Sequence, residues 1–468
     1  MAPAPNAPER TLAIIGGGVS GALVAVHLLR GAVAGTRIVL IERKPPIGPG
    51  VAYHTDCAEH QLNVSAGSMS LFADDPEDFL RWLRRHLGHV GFPDRILADD
   101  FLPRHLYGGY ITDTLETARA GAAPGVEFVP IAGEVVDLEE ADGGAKLVLS
   151  DGRAFSARAV VLAIGNLPGE YPIKRSLPFY RGPRYVHVPW LASLMGNISK
   201  SDDVLVVGAG PTAVDIIVQL DQLGHHGTIH ALSRRGLRPL PQKPGLPAYP
   251  QFLDKARLPK TARDCLRLLR AEVRKAAALG IDWRAVLDTV RPHAQAIWTG
   301  FSWEERARFM RHARPYWDAH RHRISPETAA TIGRLEAVGR VRFFAGQLES
   351  LRDTPIQAEA VYRPRGTDHR VSLNVAKVIN CTGPRTDYSK YQHPLLINLL
   401  ARGLIDHDPL ALGINAQPSL EVLRYRGGST GWLFTLGPPL KGMLWESTAV
   451  AEIRVQAQSL AGLLLERF

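Results

Sequence analysis

The chain has 468 residues, 45% hydrophobic and 22% charged, with a net charge of +9; that length exceeds one ordinary core, so two or three domains are expected in a globular protein. The basic surplus is interleaved with Asp and Glu, which argues against a nucleic-acid arm and leaves surface charge and phosphate-binding arginines. Cys57, Cys265 and Cys381 lie far apart with no C-x-x-C pair, which disfavours a disulfide framework, a metal site and a redox dithiol, and fits a reducing cytoplasm.

The stretch TLAIIGGGVSGALVAVHLL (Thr11–Leu29) is too broken by glycine for a signal peptide or a membrane span. It reads as a strand over Leu12–Ile15, a glycine turn and a helix over Val19–Arg30. In Gly16-x-Gly18-x-x-Gly21 the first glycine permits the tight turn, the second lets backbone approach a pyrophosphate, and the third allows close helix packing. The next strand, Thr36–Ile41, ends in Glu42 and Arg43, and Glu42 is placed to accept a hydrogen bond from an adenosine ribose. A polar alternation follows, with Gln61, Asn63 and Ser65 between Leu62 and Val64. These side chains face one side of an extended segment, where they either meet a ring system or cap a turn.

Segment VVLAIGNLPG (Val160–Gly169) is an apolar strand running into a turn at Gly165. A second glycine motif then appears. Strand Val204–Val207 leads into Gly208-Ala-Gly210-Pro-Thr-Ala213 and a helix, and the following strand, Thr228–Ser233, ends without a carboxylate. Arg234 and Arg235 stand there instead, and arginine suits the 2′-phosphate of NADPH, with NADH the second candidate. Glu42 would repel such a phosphate, so the first site suits the ADP half of FAD. Residues 236–340 fit neither nucleotide fold. They predict helices over Thr261–Leu279, Asp282–Ala294 and Ser302–Ala319, an insertion lying over the cleft. Segment KVINCTGPRTDY (Lys377–Tyr388) repeats the strand-and-turn pattern through Thr382 and Gly383. At the end, the strand Gly431–Gly437 runs into a C-terminal helix whose N-terminus is expected beside the FAD ring. The expected architecture is α/β, with two dinucleotide-binding (Rossmann-like) domains. An FAD domain over 1–190 and 345–468 encloses an NADPH domain over 191–344, which carries the helical insertion.

These motifs resemble the flavoproteins with two dinucleotide-binding domains. FYRGPRYVHVPW (Phe179–Trp190) is similar to the flavin-monooxygenase fingerprint Phe-x-Gly-x-x-x-His-x-x-x-aromatic, with each step displaced by one residue. Gly48–Ser70, Asp74–Leu83, Phe101–Tyr110 and Lys441–Ala457 resemble the FAD-NAD(P)-binding monooxygenase family that includes bacterial FAD-dependent urate hydroxylases. The resemblance implies hydride transfer from NADPH to FAD, addition of O2 at the flavin C4a, and transfer of one oxygen atom to a small molecule. Urate hydroxylation to 5-hydroxyisourate is the first expectation, and N-oxygenation of an amine or amino acid the second. Gln61, Asn63 and Ser65 are the expected catalytic group, and Tyr53, His54, Arg104 and His105 are expected around the substrate. Neither nucleic acid nor a membrane is an expected partner. A flavin-binding regulator is the non-enzymatic alternative, and two complete cofactor motifs argue against it.

Overall fold

The computed structural model describes residues 10–87, 96–190 and 197–468; the leader before Arg10 and the domain break expected at residue 191 lie outside them. The first fold opens with β1 (Arg10–Ile15), α1 (Val19–Gly31) and β2 (Thr36–Glu42), followed by α2 (Asp78–Leu87), α3 (Arg104–Ala120) and β3 (Glu127–Ala132). A three-stranded antiparallel meander, β4 (Val135–Ala141), β5 (Gly144–Leu149) and β6 (Ala154–Ala157), leads to β7 (Ala159–Leu162). The strands β7, β1, β2 and β3 are parallel neighbours in that order. Both sheet faces are covered, so β1 is apolar at every position after Arg10 but one. Leu12 and Ile14 enter the core under α1, while Ala13 and Ile15 enter the core on the meander side, as the period of two requires.

The second fold comprises β8 (Tyr185–Val186), β9 (Val204–Val207), α4 (Pro211–Gln222) and β10 (Ile229–Ser233). The inserted helices follow: α5 (Ala262–Ala278), α6 (Trp283–Val290), α7 (Ala294–Thr299), α8 (Trp303–His312) and α9 (Arg314–Arg321). The single helix expected over Ser302–Ala319 is broken at Ala313, where Pro315, in the first turn of α9, cannot continue the α8 ladder. The chain then forms α10 (Pro326–Ala337), β11 (Val341–Asp353), β12 (Ala358–Pro364), β13 (Val371–Val375) and β14 (Lys377–Asn380). Ile332 and Leu335 of α10 pack in the same core as Val204, Val206 and Ile216. Helix α10 is therefore the crossover helix of the second fold and not part of the insertion expected to reach residue 340.

The second sheet has seven strands in the order β13-β12-β11-β10-β9-β14-β8. It takes in residues up to Asn380, well past the boundary expected at 344, because β11 pairs with β10 at its start and with β12 at its end. The chain returns to the first sheet through α11 (Pro394–Ala401), β15 (Glu421–Leu423) and β16 (Ser429–Thr435), giving six strands in the order β15-β16-β7-β1-β2-β3. The C-terminal helix α12 (Val450–Arg467) packs along α1. It does not follow β16 directly as expected. A 3-10 turn at Pro438–Leu440 and further turns precede it. The structure is thus two dinucleotide-binding folds, the second inserted into the first, with helices packed on the returning segment through Trp298, Phe301, Leu412 and Trp445.

Candidate functional site

The two glycine turns have the same construction. Gly16 has φ +105°, and a Cβ on it would lie 2.3 Å from the carbonyl oxygen of Ala163, just beyond β7. Gly208 has φ +128°, and its Cβ would lie 2.1 Å from the carbonyl oxygen of Cys381, just beyond β14. Both residues are required by turn geometry alone. The middle glycines differ from them. A Cβ on Gly18 would meet only the Gly50 Cα at 3.5 Å, and one on Gly210 would meet nothing within 4 Å. These two positions are therefore the cradle that a side chain would fill. The third position needs Gly21, whose Cβ would fall 1.9 Å from the Gly16 carbonyl, whereas the second fold accommodates the fully buried Ala213.

Helices α1 and α4 start at Gly18 and Gly210 with no side-chain cap. Helices α5, α6, α8 and α10 are instead capped by Thr261, Asp282, Ser302 and Ser325. The uncapped N–H groups at the two glycine turns carry the positive end of the helix dipole and suit pyrophosphate. At the end of β2, Glu42 accepts hydrogen bonds from the backbone N–H of Gly17 (2.7 Å) and of Lys44 (2.8 Å), which fixes its carboxylate beside the first turn. A cavity of about 380 Å³ opens there, lined by Glu42, Pro45, Pro46, Ile47, Phe128 and Pro130 among others. An acidic rim over apolar walls fits the adenosine half of a dinucleotide. Arg43 is exposed and reaches Glu134 at 3.3 Å. In the second fold Arg235 donates to the carbonyl of Arg311, while Arg234 is exposed and has no charged partner among the described residues.

The Gly165 carbonyl accepts from Tyr388 Oη at 2.8 Å. Thr382 Oγ1 donates to Asn380 Oδ1, and Gly383 takes φ +87° beyond it. Gly437, at φ +74°, donates its N–H to Gln456 Oε1 and lies against Ser20 of α1. Gln61, Asn63 and Ser65 are half-buried around the buried Leu62. Gln61 Oε1 accepts from Ser325 Oγ, and the Asn63 carbonyl accepts from Gln242 Nε2 at 3.1 Å. The second fold therefore covers this strip. Ser65 precedes a 3-10 turn without capping it.

Arg104 is not free for a small molecule, contrary to expectation. Its guanidinium binds both carboxylate oxygens of Asp215 on α4, at 2.7 and 3.1 Å, and its Nε donates to the Gln61 carbonyl. His60 Nε2 donates to the Asp215 carbonyl at 3.0 Å, so Nδ1 must accept from Thr55 Oγ1 at 2.8 Å. Burial lowers the His60 pKa, in keeping with a neutral ring. His54 and His105 are exposed. Tyr53 packs on Tyr107, and burial pushes its pKa up to about 12.

Sequence reasoning missed the charged cluster where the insertion meets the segment after Gly437. Glu446, at φ +71°, is buried; Trp317 Nε1 donates to it at 2.9 Å and Arg321 Nη2 lies 3.0 Å away. Burial opposes its ionisation, but Arg321 and His322 hold its carboxyl below the usual range. Arg291 lies 3.7 Å from Glu452, whose carboxyl is raised by burial. Arg323 pairs with Asp288 and Arg314 with Asp318. Of fifteen buried side-chain atoms without a hydrogen-bond partner among the described residues, seven belong to Arg321, Arg323 and the stretch 446–456. One of them, Glu446 Oε2, is met by the Arg321 guanidinium as an ion pair; each buried polar atom left unmet costs about 1–3 kcal/mol. The only advance signal was the presence of Lys441 and Glu446 in the otherwise mainly apolar run LKGMLWE.

Residues 13–167 match the family model described as FAD-NAD(P)-binding. The match lies within the first fold and covers about a third of the chain. With the second dinucleotide fold beside it, the protein takes FAD and NADP(H) as its cofactors. No curated protein sequence matches the chain. Among solved structures, it is similar to the reduced form of the ornithine hydroxylase of Pseudomonas aeruginosa, at 16% identity and a TM-score of 0.65, over 98% of this chain and 99% of that one. It is also similar to the ornithine N-hydroxylase of Kutzneria sp. 744, solved with reduced FAD, NADP+ and L-ornithine, at 15% identity and a TM-score of 0.62, over 98% of this chain and 100% of that one. The cadaverine monooxygenase of Erwinia amylovora, bound to FAD, gives 14% identity and a TM-score of 0.64, over 97% of this chain and 94% of that one. At these identities the likeness is one of fold. No helix among the described residues is long and apolar enough to cross a membrane, and no group of residues among them is arranged to hold a metal ion.

Proposed function

We propose that this chain is an FAD- and NADPH-dependent monooxygenase that oxidises the nitrogen of a small amine. The observation that carries the reading is the pair of glycine turns with open cradles at Gly18 and Gly210, one on each fold, without a cysteine pair to receive electrons: Cys57 and Cys381 are buried, and Cys265 is distant from both in sequence. The overlap over nearly the whole length with N-hydroxylase structures supports an amine substrate over urate. The net reaction is R–NH2 + O2 + NADPH + H+ → R–NHOH + H2O + NADP+. The amine lone pair forms the N–O bond, and the O–O bond breaks to give water.

The flavin supplies the chemistry of hydride acceptance and oxygen activation; the protein holds and screens it. Gly18 and the N-terminus of α1 seat the FAD pyrophosphate, Glu42 takes its ribose, and Gly165 and Gly437 pass the chain beside it. Gly208, Gly210 and Ala213 do the same for NADPH, with Arg234 on the 2′-phosphate and Thr382–Gly383 closing the turn between the folds. Asn63 and Ser65 would offer polar side chains to the flavin, while Gln61, held by Ser325, would position their segment and Gln242 would cover it through the Asn63 carbonyl.

With isotopically labelled O2, label is expected in an N-hydroxylated product of an amine. Label in 5-hydroxyisourate would put urate in its place, and product oxygen derived only from water would end the monooxygenase reading. Arg234→Ala is expected to raise the KM for NADPH about ten- to a hundredfold, from the loss of a charge-assisted contact of about 1.5–3 kcal/mol, and to leave the KM for NADH nearly unchanged. Equal effects on both coenzymes would remove Arg234 from the phosphate site.

A further inference from the structure

The rim of the second fold carries a further cation beside Arg234. At the ends of its parallel strands Val207 pairs with Leu232, and Ser233 pairs with Ala345. This carboxyl edge is where a dinucleotide lies across an α/β sheet, and Arg234 follows it directly. Strand β11 does not stop there. It runs on as one arm of the hairpin with β12, whose last residues return to the same edge. Pro364 stands opposite Gly346, and the Arg365 N–H donates to the Ala345 carbonyl at 2.9 Å. Ser233, Ala345 and Arg365 therefore form one row across β10, β11 and the end of β12.

The turn after β10 lies against that row. A Cβ on Gly236 would meet the Ala345 Cβ at 3.0 Å, and the Gly236 N–H donates to Ser233 Oγ at 3.0 Å. The residue between Ser233 and Arg365 in the row is Ala345, whose side chain is a single methyl group. Neighbouring strands lie about 4.8 Å apart, which puts the Arg365 backbone about 10 Å from Ser233. Two arginine side chains span that interval over one phosphate. Charge pairing sets Arg234 and Arg365 apart from the arginines around them. Arg363 and Arg370 both pair with Glu349, Arg238 pairs with Glu336, and Arg235 donates to the Arg311 carbonyl. The guanidinium groups of Arg234 and Arg365 are exposed and have neither an ion pair nor a hydrogen bond among the described residues. Asp368, in the same turn as Arg365, is exposed and not within ion-pair distance of it. An exposed arginine is ordinary by itself; the row places these two on one edge.

Resting on the reading that the second fold selects NADPH, we propose that Arg365 is a second specificity-determining residue, which holds the 2′-phosphate of the coenzyme jointly with Arg234. The phosphate is close to a dianion at neutral pH, so one guanidinium leaves charge over and two offset it. The planar fork of each side chain reaches two phosphate oxygens at once. Because the two arginines stand on separate strands, the phosphate is held from both sides of the turn after β10.

The test uses the FAD-loaded protein and two fragments that differ only by the 2′-phosphate, adenosine 2′,5′-bisphosphate and 5′-AMP. Their affinities are measured by isothermal titration calorimetry. The wild type is expected to prefer the bisphosphate, and Arg365→Ala to weaken the bisphosphate about tenfold with 5′-AMP binding unchanged. Arg365→Lys should recover part of the loss, because the charge returns without the fork. The double variant Arg234→Ala/Arg365→Ala should bind the two fragments about equally. A full wild-type preference in Arg365→Ala, or an equal loss for both fragments, overturns the role of Arg365 and leaves the NADPH reading standing. The absence of any preference in the wild type overturns the NADPH reading, and the role of Arg365 with it. Should Arg365→Ala fail to fold, Arg365→Gln, which keeps the stem and removes the charge, decides by the same comparison.

Discussion

Gly18→Val is expected to yield folded protein that purifies without flavin. Gly18 has φ −70°, an ordinary value for any L-residue, and its added Cβ would touch only the Gly50 Cα at 3.5 Å. Nothing in the protein therefore opposes the side chain. What it would occupy is the cradle between the glycine turn and the bare N-terminus of α1. There a pyrophosphate accepts backbone N–H bonds worth about 1.5–3 kcal/mol each when charge-assisted. Losing two of them weakens FAD binding by about a hundredfold or more. Gly16→Val makes the contrast, because its Cβ would meet the Ala163 carbonyl at 2.3 Å from a left-handed backbone, and it is expected not to fold. The flavin-to-protein absorbance ratio and the melting curve of the apoprotein separate the two effects. Full flavin occupancy in Gly18→Val would show that the cofactor's phosphates do not pass this residue.

That contrast shows how far residue spacing carries. The strand, the glycine turn, the helix and the acid after β2 were all legible, because each rests on interactions within a few residues. The turn geometry expected of the two motifs is present at Gly16, Gly18 and Gly21, with Glu42 bonded to the Gly17 N–H, and again at Gly208 and Gly210. The limit of the second fold was not legible: β11 runs from a parallel pairing with β10 into an antiparallel one with β12, and alternation looks the same in both. The break between α8 and α9 was legible at Pro315, but helical spacing continued through it. The charged seam was hidden for a different reason. Arg321 and Glu446, or Arg291 and Glu452, are separated by more than a hundred residues, and each alone reads as a solvated surface charge. Only the fold brings them together, and burial makes the pairing matter. Arg104 was noticed but misassigned, since its partner Asp215 lies 111 residues away on the other fold.

That partnership supports the second large expected effect. Arg104→Met should destabilise the protein by about 3–5 kcal/mol, and Asp215→Leu by a similar amount, because each leaves the opposite charge buried without its partner. The pair qualifies as buried, with side-chain exposures of 14% for Arg104 and 9% for Asp215. The double variant Arg104→Met/Asp215→Leu should lie much closer to the wild type than either single variant, since two apolar side chains remove both desolvation penalties together. Denaturant unfolding of the four proteins gives the coupling energy directly. The reduction of FAD by NADPH gives a second readout. His60 and Gln61 hang on the same clamp, through the Asp215 carbonyl and the Arg104 guanidinium, so the clamp sets where the segment carrying Asn63 and Ser65 sits against α4. The double variant should regain stability without regaining the wild-type rate of flavin reduction, because two apolar side chains restore packing but not the directional bonds that fix the segment. Single-variant costs below about 1 kcal/mol, in the range of an exposed ion pair, would show that the two folds are not held in register through this contact.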